Sequence, residues 1–133
     1  MNFTSQICTT KEQSERLLAL GLKKETADCI WCEVRTLSKD NPIQWHLLPE
    51  YIDKYDEKHI PAWSLHRLIE MMPDEIFYED STLILGVFGD GVYYADNEYG
   101  EVFKSFDDNL YNCIIKCIDW LIIEGYFNKE YLE

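Results

Sequence analysis

Cysteines, histidines and paired carboxylates are the residues here whose types and spacing could do chemistry. Cys29-Ile30-Trp31-Cys32 is a C-x-x-C, and Cys113 and Cys117 stand four apart, one turn of a helix. Four thiolates suffice for a structural zinc site, and Cys29, Cys32, Cys113 and Cys117 are the candidates for one. The alternative is packing. Cys113 and Cys117 share a helical stripe with Leu110, Ile114 and Leu121, and free cysteine commonly acts as a small buried hydrophobe. A redox role for the C-x-x-C lacks the βαβ surroundings of a thioredoxin unit. His46, His59 and His66 could act as bases for a cysteine or serine nucleophile, but none stands in a catalytic motif. Adjacent acids occur at Asp74-Glu75, Glu79-Asp80 and Asp107-Asp108, a pattern common on solvated surfaces and at helix starts. Asp96-Asn97-Glu98-Tyr99-Gly100-Glu101 is faintly like a calcium loop, with the glycine and the distal Glu misplaced for an EF-hand. There is no phosphate-cradling glycine loop and no dinucleotide fingerprint. No catalytic, cofactor-binding or metal set emerges, and no cofactor is expected.

What remains is recognition. In a helix expected from Pro61 onward, Trp63/Arg67 and His66/Glu70 are i,i+4 neighbours. They could form a cation–π contact and a charge-assisted hydrogen bond on one exposed flank. That flank is either a binding face or an ordinary helix side. Tyr93, Tyr94 and Tyr99 offer stacking faces amid carboxylates. The interaction candidates are therefore Trp63, His66, Arg67, Glu70, Tyr93, Tyr94 and Tyr99.

The charge is what sets this chain apart. Its 133 residues hold 25 acidic and 12 basic side chains, a net of −13. Residues up to Ile69 contribute −1, whereas Glu70 to Glu133 carry 15 acids against Lys104, Lys116 and Lys129, a net of −12. The second stretch also holds 13 of the 19 aromatics. A surface so acidic excludes direct nucleic-acid binding and docking on anionic lipid, because both need cations. Met1 to Cys8 has neither the basic start nor the apolar run of a signal peptide. The longest apolar stretch, Cys113 to Ile123, contains Lys116 and Asp119 and falls short of the roughly 20 residues that span a bilayer. Five cysteines without a disulfide spacing fit a reducing compartment, so a cytoplasmic protein is expected.

The elements that must position these residues are legible in outline. Thr10 with Gln13 makes a capping box ahead of a helix over Lys11 to Leu20, closed by Gly21. A short helical turn is expected over Lys24 to Cys29. Ile30 to Leu37 and Ile43 to Leu48 read as extended, separated by Ser38-Lys39-Asp40-Asn41-Pro42. Pro61-Ala62-Trp63-Ser64-Leu65 is expected to open a helix whose apolar face is Leu65, Leu68, Ile69 and Met72, stopped by Pro73. A three-stranded meander follows: Thr82 to Phe88, Val92 to Ala95 and Glu101 to Phe106. Its first turn, Gly89-Asp90-Gly91, suggests positive-φ glycines. A largely apolar helix over Asp108 to Glu124 is capped by Ser105 or Asp107 and ended by Gly125. The expectation is one α+β domain over residues 1–133. Its small antiparallel sheet, the meander with room for further strands, is packed by two to four helices.

Three stretches carry a resemblance: Thr10-Lys11-Glu12-Gln13-Ser14-Glu15-Arg16-Leu17-Leu18-Ala19-Leu20-Gly21-Leu22, Pro61-Ala62-Trp63-Ser64-Leu65 and Trp120-Leu121-Ile122-Ile123-Glu124-Gly125-Tyr126. Together they resemble a group of small uncharacterised proteins of gut-bacterial genomes and their phages or mobile elements. The resemblance implies a cytoplasmic accessory protein and assigns no site residue. The function expected is non-catalytic interaction with another protein, a basic one included, by a monomer or homodimer. An acidic nucleic-acid mimic occupying the basic groove of a nucleic-acid-binding protein is the alternative, and an enzyme of unidentified class the third reading.

Overall fold

A computed structural model describes residues 5–40, 42–48 and 59–133. The chain is α+β and divides into two compact units, Met1–Arg67 and Leu68–Glu133. Leu68 and Ile69 are uncharged, so this boundary coincides with the boundary in charge, and the second unit carries the net of −12.

In the first unit, Thr10 starts helix α1 (Lys11–Ala19) with the expected reciprocal cap. Gln13 N–H donates to Thr10 Oγ1 at 3.1 Å, and Thr10 N–H donates to Gln13 Oε1 at 3.0 Å. Gly21, at φ +103°, closes the helix in the left-handed region. A 3₁₀ turn at Lys24–Thr26 leads to β1 (Cys29–Arg35), so the expected helical turn is shorter and Cys29 is already strand. β1 is central between β2 (Ile43–Leu48) and β3 (Ile60–Ala62), all antiparallel. The connection from β1 to β2 is closed by Thr36 N–H donating to Pro42 O at 2.7 Å, while Asn41 of the expected turn lies outside the described residues.

Pro61 and Ala62 are not helical. They pair with Ile30 and Cys29, and Pro61 sits on an edge strand where its missing N–H costs no ladder bond. A bridge between Cys8 and Ser64 continues this extended path. Helix α2 (Leu65–Met71) begins only after Ser64, whose Oγ accepts from Arg67 N–H at 3.2 Å.

The second unit is built on an antiparallel meander in the order β4-β5-β6-β7: Glu75–Tyr78, Ser81–Val87, Gly91–Asp96 and Gly100–Phe106. The last three strands match the expectation and β4 extends it. The β5–β6 turn departs from it. Neither Gly89 nor Gly91 has a positive φ; Gly91 is needed because a Cβ there would lie 2.2 Å from the Phe106 ring. In the β6–β7 turn the left-handed residue is Gly100, at φ +69°. Helix α3 (Leu110–Glu124) packs on β6 and β7. Its cap is Asn109, whose side chain accepts from Asn112 N–H at 3.3 Å. Asp107 instead accepts from Asn109 N–H at 2.9 Å, one step back from the position expected of it. Gly125, at φ +81°, ends the helix as expected.

Register divides the side chains of this sheet between two faces. Ile76, Leu83, Val92 and Tyr94 point inward and are buried, and Trp120 of α3 stacks on Phe103 at 5.1 Å and lies 5.8 Å from Tyr94. Phe77, Thr82, Ile84, Gly86, Gly91, Tyr93, Ala95, Lys104 and Phe106 lie on the opposite face. Among the described residues no helix is long and apolar enough to cross a membrane.

Candidate interaction surface

Trp63 is not on a surface flank. It is 0% exposed and precedes α2. Its indole N–H donates to Thr26 Oγ1 at 3.0 Å and its backbone N–H to Thr9 Oγ1 at 3.0 Å, while the Thr9 and Ser14 hydroxyls are 2.8 Å apart. Arg67 Nε–H donates to the Thr26 carbonyl at 2.8 Å. Both side chains thus converge on Thr26 and brace the first unit. A cation–π contact is made on α1, where Lys11 Nζ lies 4.5 Å from the Trp45 ring centroid. Ser64 completes this network by donating both its N–H, at 2.8 Å, and its hydroxyl to Asp28. His66 and Glu70 are exposed on α2, and Glu70 borders a shallow hollow of about 270 Å³ with Met72, Pro73, Tyr126, Asn128 and Tyr131.

The cysteines are packing residues. Cys29 and Cys32, three apart on a strand, point to opposite faces of the sheet and are each 6% exposed. Cys29 packs with Cys8 and Ala62 beneath Trp31 and Leu47. Cys113 and Cys117 are fully buried on α3, and Cys113 Sγ lies 3.6 Å from the Asp90 carbonyl. Burial pushes the pKa of all five thiols up, that of Cys117 to about 12, so none is a ready nucleophile. His46 lies on β2 beside Gln44, at 3.3 Å, His59 immediately precedes β3, and His66 is on α2. In the loop that faintly suggested calcium, the Asp96 carboxylate accepts from Ser81 Oγ and from the backbone N–H groups of Glu98 and Tyr99, so it braces its own turn. Among the described residues no three of His, Cys, Asp or Glu gather into a group that could hold a metal ion.

The three tyrosines separate. Tyr94 is 0% exposed, and its hydroxyl donates to the Pro73 carbonyl at 2.7 Å, so it offers no stacking face. Tyr99 is exposed on the β6–β7 turn, with its ring 5.8 Å from Tyr78 in an edge-on contact. Tyr93 lies on the open face of the sheet, stacked against Phe88 at 5.3 Å. The Tyr93 ring covers Gly86, where a Cβ would come within 2.1 Å of it. Phe106 covers Gly91 in the same way, so two aromatic–glycine pairs pave this face.

Around that paving the open face exposes Phe77 (82%), Ile84 (58%), Phe88 (51%) and Phe106 (54%). At those exposures, three phenylalanines and one isoleucine leave on the order of 400 Å² of apolar surface in water. No element of the second unit covers it. A hollow of about 630 Å³ opens at one end, lined by Ser81, Thr82, Ile84, Tyr93, Ala95, Asp96, Asn97 and Glu98. The frame is acidic: Glu75 to Phe106 contains seven carboxylates and one cation, Lys104. Glu75 stands opposite Ile84, and Glu101 opposite Ala95, on the open face. A bulge between Tyr94 and Ala95 makes Val102 an extra residue on β7. Glu101 and Lys104, three apart, therefore share a face and pair at 3.4 Å.

Phe77, Ile84, Phe88 and Phe106 were missed as site residues by sequence reasoning. Leu83 to Phe88 reads as one apolar run, and only the strand register shows Leu83 inward and Ile84 outward. Comparisons with protein-family models, with curated proteins and with solved structures find no match.

Proposed function

We propose that this chain is a non-catalytic interaction protein that binds another protein through the open face of the β4–β7 sheet. The observation that carries the reading is the exposed apolar paving of Phe77, Ile84, Phe88 and Phe106 around Tyr93, on a sheet whose other face is already packed by α3. Apolar surface of that extent matches the largest patch of an ordinary monomer, and such a patch, rimmed by polar groups, is often functional. At about 25 cal/mol per Å², covering it yields on the order of 10 kcal/mol, comparable with the cost of association, so the paving serves as the apolar centre of a larger contact. The resemblance carried by Thr10–Leu22, Pro61–Leu65 and Trp120–Tyr126 supports service to a phage or mobile element in the cytoplasm.

The acidic-decoy reading draws on the same charge, 15 acids against 3 bases in the second unit. A phosphate mimic needs carboxylates across its contact surface, whereas the centre of this face is apolar and its acids stand at the rim. The geometry therefore favours a protein partner with an apolar centre over a groove evolved for a phosphate backbone.

The test is affinity capture from extracts of the native host with three baits: wild type, Phe77→Ser/Ile84→Ser, and Ile123→Ser. Ile123 is 73% exposed on α3, so that variant controls for a change in apolar exposure away from the sheet. The reading expects a specific protein with wild type and Ile123→Ser that is lost with the double variant. Equal recovery by all three, or enrichment of nothing over empty resin, overturns it.

A further inference from the structure

We infer that the occupant of the open face is a basic amphipathic helix of the partner protein, an inference that rests on the interaction reading above. The charges point to its sign. Glu75 and Glu101 lie on the face, Asp96 and Glu98 line the hollow at its end, and Asp90 sits in the β5–β6 turn, against the single cation Lys104, which is paired with Glu101 at 3.4 Å. An apolar stripe flanked by lysine or arginine satisfies both the paving and the rim. A second copy of this chain does not, because two such faces would bring acids onto acids across an interface.

The geometry points to a helix. A strand would add at an edge of the sheet, yet β4 is only four residues long and β7 is interrupted by its bulge at Val102, two devices that discourage edge pairing. The face itself is four strands wide, about 15 Å between outer strands at 4.8 Å spacing. At 1.5 Å per residue, a helix of about 10 residues crosses that width, and one of about 16 spans the diagonal from Phe77 on β4 to Phe106 on β7, which lie about six residues apart along the strands. On the opposite face the 15-residue helix α3 already packs against β6 and β7. A partner helix would complete a third layer, with its apolar stripe against Ile84, Phe88 and Tyr93 and a cationic side chain at the hollow beside Glu98.

The experiment uses the full chain and labelled synthetic peptides of about 14 residues, enough to span the face. One places leucine and lysine at helical amphipathic spacing, and a second scrambles the same composition. A third replaces lysine by glutamate, and a fourth alternates lysine and valine as a strand would. Affinities are read by fluorescence anisotropy for wild type, Phe77→Ser/Ile84→Ser, Glu75→Lys/Glu101→Lys and Ile123→Ser. All of these substitutions are at exposed positions, and circular dichroism confirms each fold. The inference expects the basic amphipathic peptide to bind best and to weaken about tenfold or more with either face variant, with Ile123→Ser unchanged. Binding should also weaken at least several-fold between about 50 and 300 mM salt. Equal binding of the scrambled peptide, preference for the alternating or acidic peptide, or indifference to both face variants overturns it. If host capture still depends on Phe77 and Ile84 while these peptides fail to discriminate, the occupant is wrong and the interaction reading stands.

Discussion

Replacing Trp63 with Phe separates a structural tryptophan from a surface reader. The indole N–H donates to Thr26 Oγ1 at 3.0 Å in a site with 0% exposure. Phe keeps one ring, removes the donor and leaves a void where the second ring lay. Losing a buried hydrogen bond costs about 1–2 kcal/mol, and the unfilled volume adds about 1–2 kcal/mol. The expected destabilisation is about 2–4 kcal/mol. With a urea dependence of about 2 kcal/mol per molar, the denaturation midpoint should fall by roughly 1–2 M. Urea titration followed by circular dichroism measures this, with exposed Glu15→Ala as a control that should stay within about 0.5 kcal/mol. If Trp63→Phe unfolds like wild type while host capture is lost, Trp63 is a binding residue and the account of the first unit is wrong.

The buried thiols make a pH prediction. Burial raises the Cys117 pKa from 9.0 to about 12 and lifts Cys8, Cys29, Cys32 and Cys113 in the same direction. Groups whose folded pKa exceeds the unfolded value support the fold fully below the unfolded pKa and withdraw that support as pH rises through the folded one. Urea midpoints should therefore decline above about pH 9, at up to about 1.4 kcal/mol per pH unit for each such thiol; a flat profile would contradict it. Gly86→Ala puts a Cβ 2.1 Å from the Tyr93 ring and should displace that ring from Phe88, at about 1–2 kcal/mol, which Tyr93 ring resonances report directly. Gly125→Ala forces alanine to φ +81° and should cost about 1 kcal/mol in thermal or urea melts, whereas no loss would mean that the α3 terminus relaxes freely.

Helix ends were legible because their signals are local. Thr10 and Gln13 lie three apart, Gly21 and Gly125 follow the last helical turns, and each does what its type suggests. Pro61 shows where local signals run out. Proline suits both the first turn of a helix and an edge strand, and the choice is made by β1 pairing and by Thr9, 54 residues from Trp63. β4 is short, and its Glu75-Ile76-Phe77-Tyr78 lies between acids and after Pro73, so its strand character comes from pairing with β5. The adjacent Tyr93 and Tyr94 look alike in sequence, yet alternation sends one to the open face and the other into the core. The charge asymmetry was visible from composition, and its boundary proved to be the boundary between the two units.

The most direct test of the central claim is an amide chemical-shift map of ¹⁵N-labelled protein as the basic amphipathic peptide is added. The account predicts that the perturbed amides cluster on Phe77, Thr82, Ile84, Gly86, Phe88, Tyr93, Ala95, Lys104 and Phe106, the residues that share the open face. Perturbations concentrated on α3, or on β1 and β2 of the first unit, would contradict it.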